Sequence, residues 1–569
     1  MKNVLAPLRK NLKILILIII LLILEAYFTL KLPEYTANIV DIGIANANMD
    51  YIYSAGTTMI TFTIIATILA ILVSYFSNKL ACEYSNDLRK IVFSKVLKFS
   101  NHELDDISKS SLIARTTNDI SHIQMILGYI LNVLIFAPIM AVGGIIKTFE
   151  LGTNLFWLIL EILIIILFFM FLLLRRIMPY LGKLQEITDN INRRTREIII
   201  GMPVIKTFVR QDFEAKKFKA VNDDFKEVNN YTNRYILFLS PLLTLHLSIM
   251  IVGIIFFGAD QIESGIIMTG DLLAFIQYAS QIVSSILMVA SLFTIIPEVM
   301  VSINRVKEIL DTEVTIVDGE IDKIDAKKST IEFKNVSYKY PKSEKDTITN
   351  INFKLEPGKT VAIIGSIGSG KSTILNLIPR LQDPSAGEIL MNGENIRNFK
   401  LETLREKISL TPQKAHLFQG TVKSNMTIID SDASDEKIKE ALDKANVNFI
   451  NGLDDEVYQD GSNFSGGQKQ RLSIARSILK NADFYLFDDC FSALDMNTEK
   501  AIRDNLKEFK DSSILIVSQR ISTIKDADEI LVLDNGKIVD RGSHNKLVET
   551  SETYNEIVKS QTDTLGGGI

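Results

Sequence analysis

The chain has 569 residues, of which 47% are hydrophobic, and a formal net charge of −5 at pH 7. This length exceeds what one hydrophobic core holds, so we expect more than one domain. The negative charge argues against nucleic acid as the main partner, because a nucleic acid calls for a basic surface. Apolar residues are concentrated in the first half of the chain, which predicts a protein that lies partly in a membrane and partly in the cytosol.

Apolar runs long enough to cross a bilayer, which takes about 20 helical residues, occur six times in the first half of the chain. The predicted spans are 14–33, 56–80, 129–147, 155–178, 236–258 and 272–297. Basic residues precede the first span, as they do in a signal peptide. No small-residue cleavage site follows it and five further spans do, so we expect this segment to be retained.

Lys and Arg side chains indicate the orientation of the spans. They are frequent at the N-terminus and in two long connections, 82–128 and 179–235, with their flanks. The loops 34–50, 150–154 and 260–271 are short and neutral to acidic. Because basic loops stay in the cytoplasm, the short loops face outside and both termini face the cytoplasm. We therefore predict a multi-pass protein of the cell membrane.

The two long connections are charged and have helical periodicity, so they read as membrane helices that continue into the cytosol. Each pair of extensions needs a turn, and we place the turns at residues 111–119 and 201–208, with Gly201 and Pro203 as helix breakers in the second. The alternative is a pair of solvated helical hairpins without a partner.

Three ionisable side chains, Glu25, Glu161 and His246, lie inside the spans. Such groups are costly in lipid and usually face a protein interior or a water-filled cavity, so they are candidates for lining a substrate pathway. The alternatives are that they reach to the membrane surface or make hydrogen bonds between helices.

A charged linker, 311–329, separates the transmembrane domain, 1–310, from a domain of the α/β type at 330–569. In the second domain a strand, 360–364, runs into the sequence GSIGSGKS, which matches GxxxxGK[ST], and a helix follows. The glycines let backbone N–H groups surround phosphates, while the lysine and serine supply positive charge and a magnesium ligand. The residues expected to bind nucleotide here are Gly365, Ser366, Ile367, Gly368, Ser369, Gly370, Lys371, Ser372 and Thr373.

Two further elements extend this prediction. The apolar strand at 484–487 ends in Asp488, which is the second magnesium carboxylate expected beside a P-loop. The sequence SGGQ at 465–468 opens another helix, whose backbone N–H groups form a second anion site that the P-loop does not itself require. The residues of this second site are Ser465, Gly466, Gly467 and Gln468.

The order of these motifs resembles the nucleotide-binding domain of ABC transporters, and six preceding spans with long cytosolic extensions resemble the exporter branch of that family. The resemblance covers essentially the whole sequence. It implies an all-α transmembrane domain of six helices, followed by an α/β P-loop ATPase domain with a helical subdomain. It also implies that ATP, with Mg²⁺, is held between the P-loop of one chain and the SGGQ sequence of another.

Further roles follow from the resemblance. Tyr340 matches the aromatic residue that stacks on adenine, and Gln413 matches the glutamine that touches magnesium and sits under the contact with the membrane domain. Residues 492–495, SALD, match a loop that communicates between the two ATP sites. The turns near Ser111 and Gly201 match the coupling helices that dock on the nucleotide-binding domains, and this disfavours hairpins without a partner.

Two positions depart from the family pattern. Asp489 stands where the family has its catalytic glutamate, and this side chain is one methylene shorter. A carboxylate displaced by roughly an ångström can lower the rate on the order of 10²-fold. Gln519 stands where the family has a switch histidine, and an amide carries neither the charge nor the proton of imidazole. The alternative is that Asp489 acts through one additional bridging water.

These departures predict an impaired ATP site on this chain beside a usable SGGQ sequence. We therefore expect a non-identical half-transporter as partner, with Glu and His in place, as in bacterial heterodimeric multidrug-type exporters. Hydrophobic small molecules, lipids and peptides all suit the apolar spans as substrates. The sequence leaves two alternatives open: a regulatory nucleotide-binding subunit that gates a partner, and a homodimeric lipid or peptide exporter.

Overall fold

The computed structural model describes residues 4, 7–8, 10–151, 155–324, 329–341 and 343–566. The chain forms two compact units. The first contains the residues up to Lys98 together with Ile107–Thr312, and the second contains Phe99–Asp106 together with the chain from Glu313 onward. The short segment Phe99–Asp106 is therefore separated in sequence from the unit to which it belongs.

Within the described residues, the regular elements of the first unit are all helices. Six of its helical stretches are long and apolar enough to cross a membrane, and five of the predicted spans fall inside them. The sixth, 272–297, runs past the apolar stretch Thr269–Ala290 but lies within the longer helix Thr269–Asp311. The helices from Leu12 to Asp311 are α1 Leu12–Asn38, α2 Met49–Val96, α3 Asn101–Ile107, α4 Lys109–Ala114, α5 Ile120–Tyr129, α6 Ile135–Glu150, α7 Leu155–Ile200, α8 Met202–Thr207, α9 Gln211–Glu263 and α10 Thr269–Asp311. Of these, α3 belongs to the second unit. Wider helical turns at Ile39–Ile44, Arg115–Asp119 and Ile130–Leu134 extend α1 and join α4, α5 and α6.

The turn predicted at residues 111–119 is wrong, because that stretch is helical from α4 onward. The chain turns earlier, around α3. Ser108 has a left-handed backbone, with φ of 66°, and its side chain accepts a hydrogen bond from the backbone N–H of Ser111. A residue in this conformation ends one helix and caps the next. The turn predicted at 201–208 is confirmed as the short helix α8, which Gly201 precedes and in whose first turn Pro203 lies.

Glu103 explains why α3 belongs to the second unit. Its carboxylate is 3% exposed and accepts hydrogen bonds from the backbone N–H groups of Ser100, at 2.5 Å, and Thr315, at 3.1 Å. Burial by itself raises the pKa of Glu103, but the hydrogen bonds from Ser100 and Thr315 outweigh it, so the pKa lies below its ordinary value. The carboxylate thus ties α3 to the chain that leads into the second unit.

The second unit is built on strands and short helices. Its strands are β1 Ile331–Tyr338, β2 Ile348–Leu355, β3 Thr360–Gly365, β4 Ala386–Met391, β5 Glu394–Asn395, β6 Ile408–Thr411, β7 Gly420–Thr421, β8 Glu456–Val457, β9 Phe484–Asp488, β10 Ser513–Val517, β11 Glu529–Asp534 and β12 Lys537–Gly542. Its helices are α11 Lys371–Leu377, α12 Leu401–Glu406, α13 Val422–Met426, α14 Asp435–Lys444, α15 Gly466–Leu479, α16 Met496–Leu506, α17 Ile521–Ile524, α18 His544–Thr550 and α19 Glu552–Gly566.

The main sheet has the strand order β12-β11-β3-β10-β9-β6 within the described residues, and all neighbours are parallel except β12 and β11. Its central strands are buried on both faces. In β9, Phe484 and Leu486 enter one hydrophobic core, while Tyr485 and Phe487 enter the other. This alternation explains why the strand reads as a continuous apolar run. The antiparallel sheet β2-β1-β4-β5 covers one core, and α13, α14 and α15 supply the predicted helical subdomain on the other.

We predict that Glu103→Ala frees α3 from the second unit. Loss of two hydrogen bonds to a charged acceptor costs about 1.5–3 kcal/mol each, so amide hydrogen exchange at Ser100 and Thr315 should accelerate at least roughly tenfold. Because the pKa of Glu103 is lowered, this protection is present at neutral pH and lost as the pH falls through the folded-state pKa. The exposed Asp105→Ala on the same helix is the control, and equal exchange in the two variants would contradict the role of Glu103.

Candidate active site

The candidate site lies at the carboxyl ends of β3, β10, β9 and β6. These strands are parallel, so the residues that follow them meet at one edge of the sheet. The register places Val517 of β10 opposite both Ile363 of β3 and Asp488 of β9. At this edge the P-loop follows β3 and residues 518–520 follow β10. The two aspartates lie at the end of β9, and Gln413 follows β6.

The P-loop has the backbone that its glycines allow. Gly368 and Gly370 have φ of 82° and 99°, a region in which side chains are rarely tolerated. A Cβ added at Gly370 would lie 2.5 Å from the Cγ2 atom of Ile348, so close packing also requires glycine there. Gly370 caps α11, which begins at Lys371 as predicted. The loop therefore combines a tight glycine backbone with a helix start, the two features that phosphate binding requires.

Lys371 is 7% exposed and folds back on the loop. Its Nζ donates to the carbonyl oxygens of Gly365, at 2.9 Å, and Ser366, at 2.7 Å. Burial lowers the pKa of the Lys371 ammonium, and the carboxylates of Asp489 and Asp488 oppose this shift. The cation is thus held at the centre of the loop, facing the two aspartates.

Ser372 and Asp488 lie side by side. The Ser372 hydroxyl donates to Oδ1 of Asp488 over 2.9 Å, although the two residues belong to α11 and β9. Burial raises the pKa of Asp488, the charge of Asp489 raises it further, and the Ser372 hydrogen bond and Lys371 lower it. A hydroxyl and a carboxylate at this distance form the paired oxygen ligands that suit Mg²⁺.

Asp489 follows Asp488 with a left-handed backbone, at φ of 44°, and is 8% exposed. Its Oδ1 is buried without a hydrogen-bond partner among the described residues, and its Oδ2 accepts from Nε2 of Gln413 at 3.5 Å. Burial raises the pKa of Asp489, while the backbone of Gln519 and the charge of Lys371 lower it. The structure therefore brings Gln413, Asp489 and Gln519 together, as the resemblance implies for residues of one ATP site.

The backbone around Gln519 is held by Gln561, a residue that the sequence analysis does not single out. The side-chain amide of Gln561 in α19 donates to the Gln519 carbonyl at 2.6 Å and accepts from the N–H of Ile521 at 2.9 Å. The next side chain, Arg520, donates to the carbonyl of Ser492 at 2.8 Å. It also lies 4.0 Å from the carboxylate of Glu499, which is 3% exposed. Ser492 belongs to the predicted SALD loop, so this loop and the Gln519 segment are physically linked.

The SGGQ sequence forms a complete capping box at the start of α15. The Ser465 hydroxyl accepts from the N–H of Gln468 at 3.3 Å, and the Gln468 side chain accepts from the N–H of Ser465 at 2.8 Å. Gly467 packs against the SALD loop, where an added Cβ would lie 3.0 Å from the carbonyl oxygen of Ala493. Within the described chain no hydrogen bond joins 465–468 to the P-loop.

Tyr340 lies where it can cover the base of a nucleotide. Its hydroxyl is 3.4 Å from the hydroxyl of Thr373 in α11, and its ring packs edge to face on Tyr338. The ring is partly exposed and lines a cavity of about 160 Å³. The other residues that line this cavity are His102, Asp105, Asp106, Tyr338, Pro341 and Gln382. The cavity thus adjoins both the P-loop helix and α3.

No hydrogen bond or ion pair joins Glu25, Glu161 and His246 in the part of the chain that the structure describes. His246 makes a local contact, in which Nδ1 donates to the carbonyl oxygen of Leu242 at 2.7 Å, and its ring lies 5.6 Å from that of Phe169. Glu161 is exposed in α7 and Glu25 is half-buried in α1. Their role in a substrate pathway stays a prediction.

Comparisons with known proteins agree with this architecture. A family model described as the ABC transporter transmembrane region matches residues 15–286, and one described as ABC transporter matches residues 348–492. An uncharacterized ABC transporter ATP-binding protein of Mycobacterium tuberculosis (strain CDC 1551 / Oshkosh) is 33% identical over 566 residues, which cover 98% of this chain and 97% of that protein. A probable multidrug resistance ABC transporter ATP-binding/permease protein of Bacillus subtilis (strain 168) is 31% identical over 483 residues, 83% of this chain and 72% of that protein.

The fold comparison leads to the same class. The structure of a bacterial Atm1-family ABC exporter with ATP bound matches with a TM-score of 0.84, covering 96% of this chain and 99% of that one, at 22% sequence identity. The fold and site therefore define a membrane transporter subunit with an attached P-loop ATPase domain. The chain belongs to the ABC transporter family and has an exporter fold of that family.

We predict that Gln561→Leu loosens the segment that carries Gln519. The substitution removes both hydrogen bonds from α19, each worth about 1 kcal/mol, so amide exchange at Ile521 should accelerate roughly tenfold. Glu556→Gln, at an exposed position of the same helix, is the matched control. Unchanged protection of Ile521 in Gln561→Leu would show that other contacts hold this segment.

Proposed function

We propose that this chain is one subunit of an ATP-driven exporter that moves hydrophobic or amphipathic substrates out of the cytoplasm. Residues 1–310 serve as its transmembrane domain, 311–329 as the linker and 330–569 as the nucleotide-binding domain. It resides in the cell membrane with both termini in the cytoplasm. The ATP site on its own P-loop hydrolyses slowly or not at all, while its SGGQ sequence completes the site of a partner with Glu and His in place.

The observation that carries this proposal is that the two departures from the family pattern meet at one point. Asp489 follows β9 and Gln519 follows β10, and these neighbouring parallel strands place the Gln519 backbone against the Asp489 carboxylate. Both changes therefore act on the same γ-phosphate position. The shorter carboxylate lies inside the protein with one oxygen unpaired, and the imidazole that could supply a proton is replaced by an amide.

The residues fit ATP with Mg²⁺. Ser372 and Asp488 provide adjacent oxygen ligands, and Gln413 extends an amide toward the same aspartate pair. When bound, the metal neutralises phosphate charge during transfer of the γ-phosphoryl group. Lys371 and the P-loop backbone bind the phosphates, and Tyr340 stacks on the base. The nucleotide can thus be held even where its hydrolysis is slow.

A second, non-identical chain follows from the asymmetry of these elements. The capping box at Ser465 is intact, so this chain can offer donors that its own P-loop does not contact. A patch of exposed apolar side chains around α8 also suits docking on a nucleotide-binding domain of the partner. The patch contains Ile200, Val204, Phe208 and Val209. Two copies of this chain would instead carry two altered ATP sites.

The first test restores the family residues. The purified chain should hydrolyse ATP near background, and the double variant Asp489→Glu with Gln519→His should raise the rate on the order of 10²-fold, because the base then reaches the attacking water. Asp489→Asn is the control, and it should leave the low rate unchanged. Brisk hydrolysis by the unaltered chain that is lost in Asp489→Asn would overturn the proposal and favour a homodimer.

The second test uses the complex isolated from its native membrane through a tag on this chain. Ser465→Ala should lower ATPase activity of the complex at least roughly tenfold, because it removes a donor from the partner's site. Ser434→Ala removes the N-cap of α14, a helix in the same subdomain, and controls for the cost of losing a cap, about 1 kcal/mol. Asp489→Asn should change the activity less than about twofold. Equal losses in the two serine variants would count against a role for SGGQ in the partner's site.

A further inference from the structure

A cluster of aromatic and basic side chains joins α7 and α9. The rings of Tyr180 and Tyr231 lie 4.3 Å apart at 36°, and those of Tyr231 and Tyr235 lie 4.9 Å apart at 56°. Nε of Arg176 donates to the Tyr231 hydroxyl at 3.4 Å, and that hydroxyl donates to Tyr235 at 3.3 Å. We call these four residues the Arg176 cluster. The function proposed above does not use it.

The Arg176 cluster lies at the cytoplasmic end of the membrane-crossing parts of α7 and α9. The two helices run antiparallel, joined through α8, and Phe169 contacts His246 farther along the membrane-crossing part. On α7 the long apolar run ends at Arg175 and Arg176, and on α9 an apolar run begins just after Tyr235. Basic residues at the end of a span mark the cytoplasmic side, and tyrosines favour the depth of lipid headgroups.

The charge of Arg176 is not neutralised by the protein. Its side chain is exposed, and no carboxylate lies within ion-pair distance of it in the part of the chain that the structure describes. The neighbouring Arg175 is likewise exposed and adds a second positive charge. An unpaired guanidinium presents several fixed N–H donors, a geometry that matches phosphate oxygens. Inner-leaflet anionic lipids bring such oxygens to this depth.

The arrangement differs from simple anchoring of helices at the membrane surface. Anchoring needs aromatic and basic residues at the right depth, but it does not need them to contact one another. In the Arg176 cluster the tilted rings of Tyr180 and Tyr231 pack across two helices, and the guanidinium and two hydroxyl groups form a chain of hydrogen bonds. The side chains are therefore ordered before a ligand arrives, which lowers the entropic cost of binding.

We propose that the Arg176 cluster is a binding site for the phosphate headgroup of an anionic lipid in the inner leaflet. The guanidinium and the hydroxyl groups of Tyr231 and Tyr235 hold the phosphate oxygens. The tilted rings lie beside the glycerol and upper acyl region. The site is on the α7–α9 pair, where the Arg176 side chain is exposed, and it is separate from the ATP site in the sequence and in the fold.

Native mass spectrometry of the full chain, titrated with phosphatidylglycerol or with phosphatidylcholine of the same acyl chains, tests this site. Tight binding of the first phosphatidylglycerol should weaken roughly tenfold in Arg176→Gln, the loss of one charge-assisted hydrogen bond. Tyr231→Phe keeps the ring and removes the hydroxyl, and it should weaken binding several-fold. Phosphatidylcholine should bind more weakly and respond little to either variant.

Arg175→Gln is the matched control, because it makes the same change of charge at the adjacent position without a contact to Tyr231. Binding should be reduced less in this variant than in Arg176→Gln. Equal weakening in both would assign the effect to general surface charge and overturn the site. Displacement of the lipid by millimolar inorganic phosphate would show that a free anion is the ligand and would overturn the lipid assignment. Unchanged lipid binding in both Arg176→Gln and Tyr231→Phe would overturn it as well.

Discussion

The parallel pairing of β3, β10, β9 and β6 is the constraint on which the site depends. Backbone hydrogen bonds fix the register of these strands, so the segments that follow them must meet at one edge of the sheet. β10 lies between β3 and β9. The segment after β10 therefore leaves the sheet between the segments that follow β3 and β9, and the Gln519 backbone lies against the Asp489 carboxylate.

Burial sets the electrostatics at this edge. Burial raises the pKa of both aspartates above the ordinary value, and the charge of Asp489 raises the pKa of Asp488 further. Lys371 and the Ser372 hydroxyl offset only part of this effect. The two carboxylates at this edge therefore suit a divalent cation, whose charge would favour their ionised forms. Oδ2 of Asp489 accepts a hydrogen bond from Gln413, and Oδ1 of Asp488 accepts one from Ser372.

Local sequence patterns predicted the features that depend on neighbouring residues. The P-loop, the strand ending in Asp488, the cap at Ser465 and the six spans each follow from a short run of residues. Features that need distant residues could not be predicted in this way. Gln561 contacts the Gln519 backbone from a position 42 residues later, and Glu103 accepts a hydrogen bond from Thr315, which follows it by 212 residues. The sequence predicts the first turn too late, at residues 111–119, because the polar residues at 108–110 suggest a break just before it. In the structure Ser108 caps α4, and the chain has already turned around α3.

The same distinction explains how one chain can combine an altered ATP site with an intact SGGQ element. The two hydrogen bonds of the capping box at Ser465 are made by residues within one helical turn, and neither of them involves residue 489 or 519. The aspartate side of the site, by contrast, is assembled from three strand ends, so its geometry depends on the length of the side chain at each of them. The division of labour proposed above requires this difference, because the residues at 489 and 519 can then alter hydrolysis on this chain while the hydrogen bonds of the capping box stay in place.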